Sequence, residues 1–341
     1  MYTVYIAIIS CLISFITAVL MGKYLIPVFR SVKLGQKILD IGPRWHKSKE
    51  GTPMMGGLFF IGGTLLACTV MLFTYLRDSS DLAQMKLLLT LTMAILFAVV
   101  GFLDDYVKFF KKQNKGLSAT QKLIMQFLIA AGYIAAMRWF GLIRTELVLP
   151  FISSEVFLID LNIFYYLLAV VGIVFTINAV NFADGIDGLL GSIMLIVCAT
   201  FGLIAFMTAD DSLMAIASAV FGGSLGFLVF NFHPAKVFMG DTGSFFLGAI
   251  VCGFAFWLDE GCAMLLVILF GIIFYIEIIS VMIQVTSFKL TGKRVFKMSP
   301  IHHHFEMSKW SEWKIVGVFA LITIVGCASA VLGLMTTYDL I

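Results

Sequence analysis

Long apolar runs separated by short polar segments repeat along nearly the whole chain. Runs of about 20 residues are long enough to cross a hydrocarbon layer as helices. They fall at 2–22, 54–76, 84–103, 122–141, 163–180, 188–208, 212–230, 242–258, 262–288 and 313–337. A spanning helix satisfies its own backbone hydrogen bonds where no water can do so. The pattern therefore predicts an all-α, polytopic integral membrane protein with about ten transmembrane helices. Only Asp210 and Asp211 separate the sixth run from the seventh. The ninth run is over-long, and its second half carries Glu277, Ser280, Gln284 and Thr286. A bend or break is expected there, near 280–286. Two short β-like runs, 147–151 and 156–161, flank Ser153 and Ser154 and predict a small hairpin.

Charge orients the bundle. Lysine and arginine collect in the odd-numbered connections: Lys23, Arg30, Lys33, Lys37, Arg44, Lys47 and Lys49 in the first, Lys108 to Lys122 in the third, and Lys289 to Lys314 in the ninth. The even connections hold acids instead, among them Asp78, Glu146, Asp160, Asp210, Asp259 and Glu260. The positive-inside rule puts the odd connections in the cytoplasm and both termini outside. The first run has no basic residue before it, so it reads as a retained span and not as a cleaved signal peptide. The polar chemistry is therefore expected on the cytoplasmic side of the membrane.

Composition narrows the class further. The chain is 61% hydrophobic and 13% charged. Its net charge of +3 conceals the asymmetry between the faces. A basic cytoplasmic face suits lipid head groups and phosphate-bearing substrates. No soluble basic domain exists to bind nucleic acid. The six cysteines lie in or beside apolar runs without metal-ligand spacing and read as small buried hydrophobes. No linker divides the chain, so 1–341 is read as a single transmembrane catalytic domain.

The polar residues collect on one side. Asn178, Asn181 and Asp184 are three apart, followed by Gly185, Asp187 and Gly188. Asp104 and Asp105 end the third run, and adjacent carboxylates there can share a divalent cation or a proton. Asp241 opens the eighth run between Gly240 and the Thr242-Gly243-Ser244 stretch, which suits Mg²⁺ or a phosphate. His302, His303 and His304 are consecutive, so on a helix they point in different directions and do not converge on one ion. All five histidines, including His46 and His233, fall in connections assigned to the cytoplasm. Basic residues before Gly51-Thr52-Pro53 and the Gly56-Gly57 pair could approach a phosphate, although ordinary turn residues look similar. Charges near mid-membrane are few, Glu277 being the main one. A substrate-coupled transporter would place ionisable groups at that depth, so interfacial chemistry is favoured over transport.

Together, Asp104-Asp105-Tyr106, Asn178 with Asn181-Phe182-Ala183-Asp184-Gly185-Ile186-Asp187-Gly188, Phe238-Met239-Gly240-Asp241 and Ser299-Pro300-Ile301-His302-His303-His304-Phe305-Glu306 resemble the polyprenyl-phosphate N-acetylhexosamine-1-phosphate transferases. The triple histidine points to the branch acting on muramoyl-pentapeptides. Met54 departs from the threonine common in that family. The resemblance implies transfer of phospho-N-acetylmuramoyl-pentapeptide from UDP-N-acetylmuramoyl-pentapeptide to undecaprenyl phosphate. The products would be lipid I and UMP, in peptidoglycan synthesis. A sister enzyme that transfers N-acetylglucosamine-1-phosphate to the same lipid is the nearest alternative.

The resemblance also implies roles. Mg²⁺ is the cofactor, with Asp241 as its main ligand and Asn181 and Asp184 beside it. Asp104, Asp105, Asp241, His302 and His303 are the catalytic candidates. Lys49, Lys108, Lys122, Asn178, Asn181, Asp184, Gly185, Asp187, Asn231, Phe238 and His304 are the substrate-binding candidates, with Asp187 and Phe238 facing uridine. Direct attack and a covalent aspartyl intermediate both remain open at this point. A broken ninth helix beside a groove for the polyprenyl chain, and a homodimer, are implied in the same way.

Overall fold

The computed structural model describes residues 2–32, 51–77, 80–110, 116–152, 158–258, 261 and 263–337. Lys49, His46, Asp78, Ser153, Ser154, Asp259 and Glu260, all named above, lie outside them, as does Cys262. Twelve helices and one hairpin follow in order: α1 (Tyr2–Ser31), α2 (Gly57–Phe73), α3 (Asp81–Phe110), α4 (Ala119–Trp139), β1 (Glu146–Val148), β2 (Leu158–Asp160), α5 (Ile163–Phe182), α6 (Leu189–Thr208), α7 (Asp211–Asn231), α8 (Gly240–Trp257), α9 (Ala263–Phe270), α10 (Ile272–Thr291), α11 (Ile301–Glu306) and α12 (Glu312–Thr337). Among the described residues, nine helices are long and apolar enough to cross a membrane, and α2 is a shorter apolar helix. The protein is a multi-pass membrane protein, as the run pattern predicts. The hairpin also forms, antiparallel, with Leu147 opposite Ile159.

The ninth run does break, but not where its polar half suggested. The interruption is Gly271, between α9 and α10. Helix α10 then runs unbroken through Ser280 and Thr286 to Thr291. Three of the four polar side chains there, Glu277, Ser280 and Gln284, are buried within the fold, and Thr286 is exposed. Ser280 bonds the Glu277 carbonyl, and Gln284 clasps the backbone of Val295 and Phe296. Gly271 lacks the side chain that packs a helix, which makes it the weaker point. The freed Phe270 carbonyl lies 3.8 Å from the Cys327 thiol of α12.

Helix α8 is the axis of the bundle. Apart from Asp241, every residue from Gly240 to Trp257 is buried. It is apolar all round, as a helix with neighbours on every side must be. Helices α2, α3, α5, α6 and α9 pack against it. Helix α1 packs on α2 and α7 and turns Tyr5, Leu12 and Leu20 outward. The alternating directions bring the C-terminal turns of α3, α5 and α7 to the same end as the N-terminal turns of α4 and α8.

Candidate active site

Three carboxylates meet at that end. Asp104 and Asp105, from the last turns of α3, come together with Asp241 from the first turn of α8. One oxygen from each lies within 4.8 Å of the others. Asp104 and Asp105 are buried, and Asp241 keeps part of its surface open. The approach of α3 to α8 is close because Gly101 has no side chain: a Cβ there would stand 2.2 Å from the Asp241 carbonyl oxygen. Asp241 also sits at a helix N-terminus, where unpaired N–H groups favour negative charge.

Two lysines bridge the acids. The Lys108 Nζ lies 2.6 Å from Asp104 Oδ2 and 3.2 Å from Asp241 Oδ2. From α4, Lys122 reaches Asp104 Oδ1 at 3.2 Å and Asp241 Oδ2 at 3.3 Å. Helix α4 starts one turn earlier with a capping box: the Ser118 hydroxyl accepts from the Gln121 N–H, and the Gln121 carbonyl accepts from the Ser118 N–H. That fixes the angle at which Lys122 enters. These lysines, expected to hold phosphate, thus hold the carboxylates in this arrangement.

The third acid has a different task. Asp105 accepts from the N–H groups of Asp241 (3.3 Å) and Thr242 (3.0 Å) and from the Thr242 hydroxyl (2.7 Å). It caps the start of α8 from a neighbouring helix. Gly240 makes this possible by adopting φ of +77°, a region where a Cβ is strained, and where a Cβ would stand 2.5 Å from Asp105 Oδ2.

Helix α5 contributes the amides. Asn181 donates to Asp241 Oδ1 at 3.1 Å and to the Ser244 hydroxyl at 2.7 Å. Asn178 lies one turn earlier and turns away: it donates to Gln126 of α4 and to the Val174 carbonyl. The helix stops at Phe182, so Asp184 is in the following turn and does not continue the helical face of the two asparagines. Burial, reinforced by the charges of Asp241, Asp105 and Asp187, pushes the Asp184 carboxyl up to about 7.

A second polar group lies beside this one. Asp187 accepts from the Ala235 N–H (3.0 Å), and its Oδ2 lies 3.2 Å from His233 Nδ1. Glu312, at the start of α12, accepts from the Asp187 N–H at 3.1 Å and lies 3.4 Å from the same ring nitrogen. Asn231 ties the two loops together: its oxygen accepts from the Gly188 N–H and its nitrogen donates to the Val237 carbonyl. Phe238 is held on both sides by the 53–57 strand-like segment, giving its N–H to Pro53 and receiving from Gly56. The Gly57 N–H goes to Met239. The N–H groups of the glycine pair are therefore engaged with this loop, in line with the turn alternative named for this stretch.

The three histidines lie on α11 and diverge, as expected. His302 is buried, with Nδ1 3.0 Å from the Glu277 carboxylate of α10. His303 Nδ1 pairs with Glu306 at 2.5 Å. His304 instead accepts, at Nδ1, from the Lys297 N–H. Sequence reasoning missed Gln126 and Glu312, and it placed the Thr242 and Ser244 hydroxyls beside Asp241 without finding their partners. Hydroxyls and a glutamine within apolar runs carry no mark of their partners, which come from distant helices.

The fold and the site define a membrane-embedded transferase. The profile of Glycosyl transferase family 4 matches residues 87–259, which include α3 with its two aspartates and the Asp241 turn. The chain is 42% identical over 310 residues to the phospho-N-acetylmuramoyl-pentapeptide-transferase of Halalkalibacterium halodurans, covering 91% of this chain and 92% of that protein. It is 43% identical over 318 residues to that of Clostridium beijerinckii, covering 93% of each. The same enzyme of Caldanaerobacter subterraneus subsp. tengcongensis matches at 42% over 93% of this chain and 95% of its own. The chain belongs to glycosyl transferase family 4, and within it to the phospho-N-acetylmuramoyl-pentapeptide-transferases.

Proposed function

We propose that the chain transfers phospho-N-acetylmuramoyl-pentapeptide from UDP-N-acetylmuramoyl-pentapeptide to undecaprenyl phosphate, releasing UMP and leaving lipid I in the membrane. The observation that carries this reading is the meeting of Asp104, Asp105 and Asp241 with Lys108 and Lys122 at one end of a membrane bundle. A phosphoryl centre between two anionic substrates needs charge neutralisation and alignment more than covalent help.

The acids fit Mg²⁺. Asp241 is the most accessible of the three and has an amide, Asn181, at 3.1 Å. Asp104 offers a second carboxylate, and Asp184 stands close enough for its ionisation to feel Asp241. Asp105 is committed to the α8 backbone, so it would act by fixing Asp241 in place. Mg²⁺ bound there would supply Lewis-acid polarisation of the phosphoryl oxygens. Lys108 and Lys122 would turn their ammonium groups to phosphate oxygens of the substrates. The loop pair tied by Asn231 would present Phe238 and Asp187 to the uridine. His303 and His304 would face the diphosphate or sugar from α11.

The charge pattern supports a cytoplasmic orientation of this end, since Lys108, Lys122 and the Lys289 to Lys314 stretch flank it. A homodimer follows from the family resemblance. Purified protein should release UMP from UDP-N-acetylmuramoyl-pentapeptide only with undecaprenyl phosphate and Mg²⁺ together. Release from UDP-N-acetylglucosamine in its place, or no release with either sugar nucleotide, would overturn the proposal.

A further inference from the structure

Glu277 is the charged residue at depth that the reaction scheme above does not use. Its side chain is fully buried in α10, and so is that of His302. An ionised carboxylate offers only lone pairs, so with Glu277 in that form Nδ1 of His302 carries the hydrogen in their 3.0 Å contact. The second Glu277 oxygen lies 3.5 Å from the His302 backbone N–H, so one side chain meets both the ring and its main chain.

That arrangement settles which nitrogen is left over. With Nδ1 donating to the glutamate, Nε2 is the free position. It is buried and, among the described residues, has no hydrogen-bond partner. It points at Gly185: a Cβ on that glycine would stand 2.1 Å from Nε2. Gly185 lies between Asp184 and Asp187, in the turn that faces Asp241. Of its two neighbours, His303 also turns Nδ1 to a carboxylate, that of Glu306, whereas His304 does not. His304 accepts at Nδ1 and has the opposite tautomer when neutral.

We propose that Glu277 is a positioning residue for the transfer reaction. It holds His302 in the tautomer and orientation that deliver Nε2 to the Asp184–Gly188 turn. Removing the carboxylate would free the ring to rotate or to switch tautomer, and the turn carrying Asp184 and Asp187 would lose its support. This inference rests on the transferase reading, and wild-type UMP release in the same assay tests that reading separately.

The test is a double-mutant cycle on purified protein with both substrates. Glu277→Ala is expected to lower kcat at least tenfold, with little change in KM for either substrate. Glu277→Gln is expected to recover most of the rate, because its amide oxygen can still accept from Nδ1. In a His302→Ala background, Glu277→Ala is expected to cost less than twofold further, since the group it orients is gone. Two results would overturn the proposal: an equal loss from Glu277→Ala with and without His302, or a Gln variant as slow as the Ala variant. If Glu277→Ala does not fold, comparing Glu277→Gln with Glu277→Asp serves instead. Asp is one methylene shorter and is expected to be the slower of the two; equal rates would overturn the proposal.

Discussion

Thr242 donates two hydrogen bonds to one oxygen of Asp105, from its backbone N–H at 3.0 Å and from its hydroxyl at 2.7 Å. The pair joins the end of α3 to the start of α8 and so sets the distance between Asp104 and Asp241. A hydrogen bond to a charged group contributes about 1.5–3 kcal/mol. Thr242→Val keeps the shape and removes the hydroxyl. It is expected to destabilise the protein by about that amount in thermal unfolding in detergent, and to slow UMP release.

Asp241→Ala is expected to abolish turnover while the protein still inserts and purifies. Added Mg²⁺ is expected to raise the melting temperature of the wild type and to leave that of this variant unchanged. Substantial activity at saturating Mg²⁺ would sink its assignment as the main ligand.

Gly101→Ala tests the closeness of α3 and α8. The added Cβ would stand 2.2 Å from a backbone oxygen, which cannot move without shifting α8. Overpacking of this kind costs about 1–3 kcal/mol. A lowered melting temperature with a lowered kcat is expected, and a variant indistinguishable from wild type would contradict the described helix contact.

Asp184 predicts a pH dependence. Its folded-state pKa of about 7 lies above the value of about 4 for a free aspartate. The folded state therefore binds the proton more tightly than the unfolded one. The stability this contributes is full below pH of about 4 and is lost as pH rises through about 7. Metal-free protein should become less stable across that window, and Asp184→Asn should flatten the slope. Thermal unfolding in EDTA at a series of pH values measures both.

Most of the architecture was legible because lipid leaves few options: a run of apolar residues in a membrane protein must close its hydrogen bonds as a helix. The acids were legible too, since Asp104, Asp105 and Asp241 are costly at the ends of apolar runs. What could not be read was partnership. Asp105 and Thr242 lie far apart in sequence, and nothing in either residue type announces a cap built across two helices. The break at Gly271 was hidden for a related reason. Polar residues drew attention to 280–286, yet Ser280 and Gln284 found partners within the fold, and the residue that interrupts the helix has no side chain at all. Asn178 and Asn181 share a helix and a spacing, but only the second reaches the acids.

The lysine bridges have a consequence for how the centre stays folded between turnovers. Lys108 and Lys122 act as built-in counter-ions, so the three carboxylates need no outside charge to remain together. Under the proposed function, an arriving cation would compete with them for the same oxygens, and each ammonium it displaced would be released beside the incoming phosphate groups. The centre would then work as an ion exchanger, trading an internal positive charge for an external one and turning the internal one over to the incoming anions.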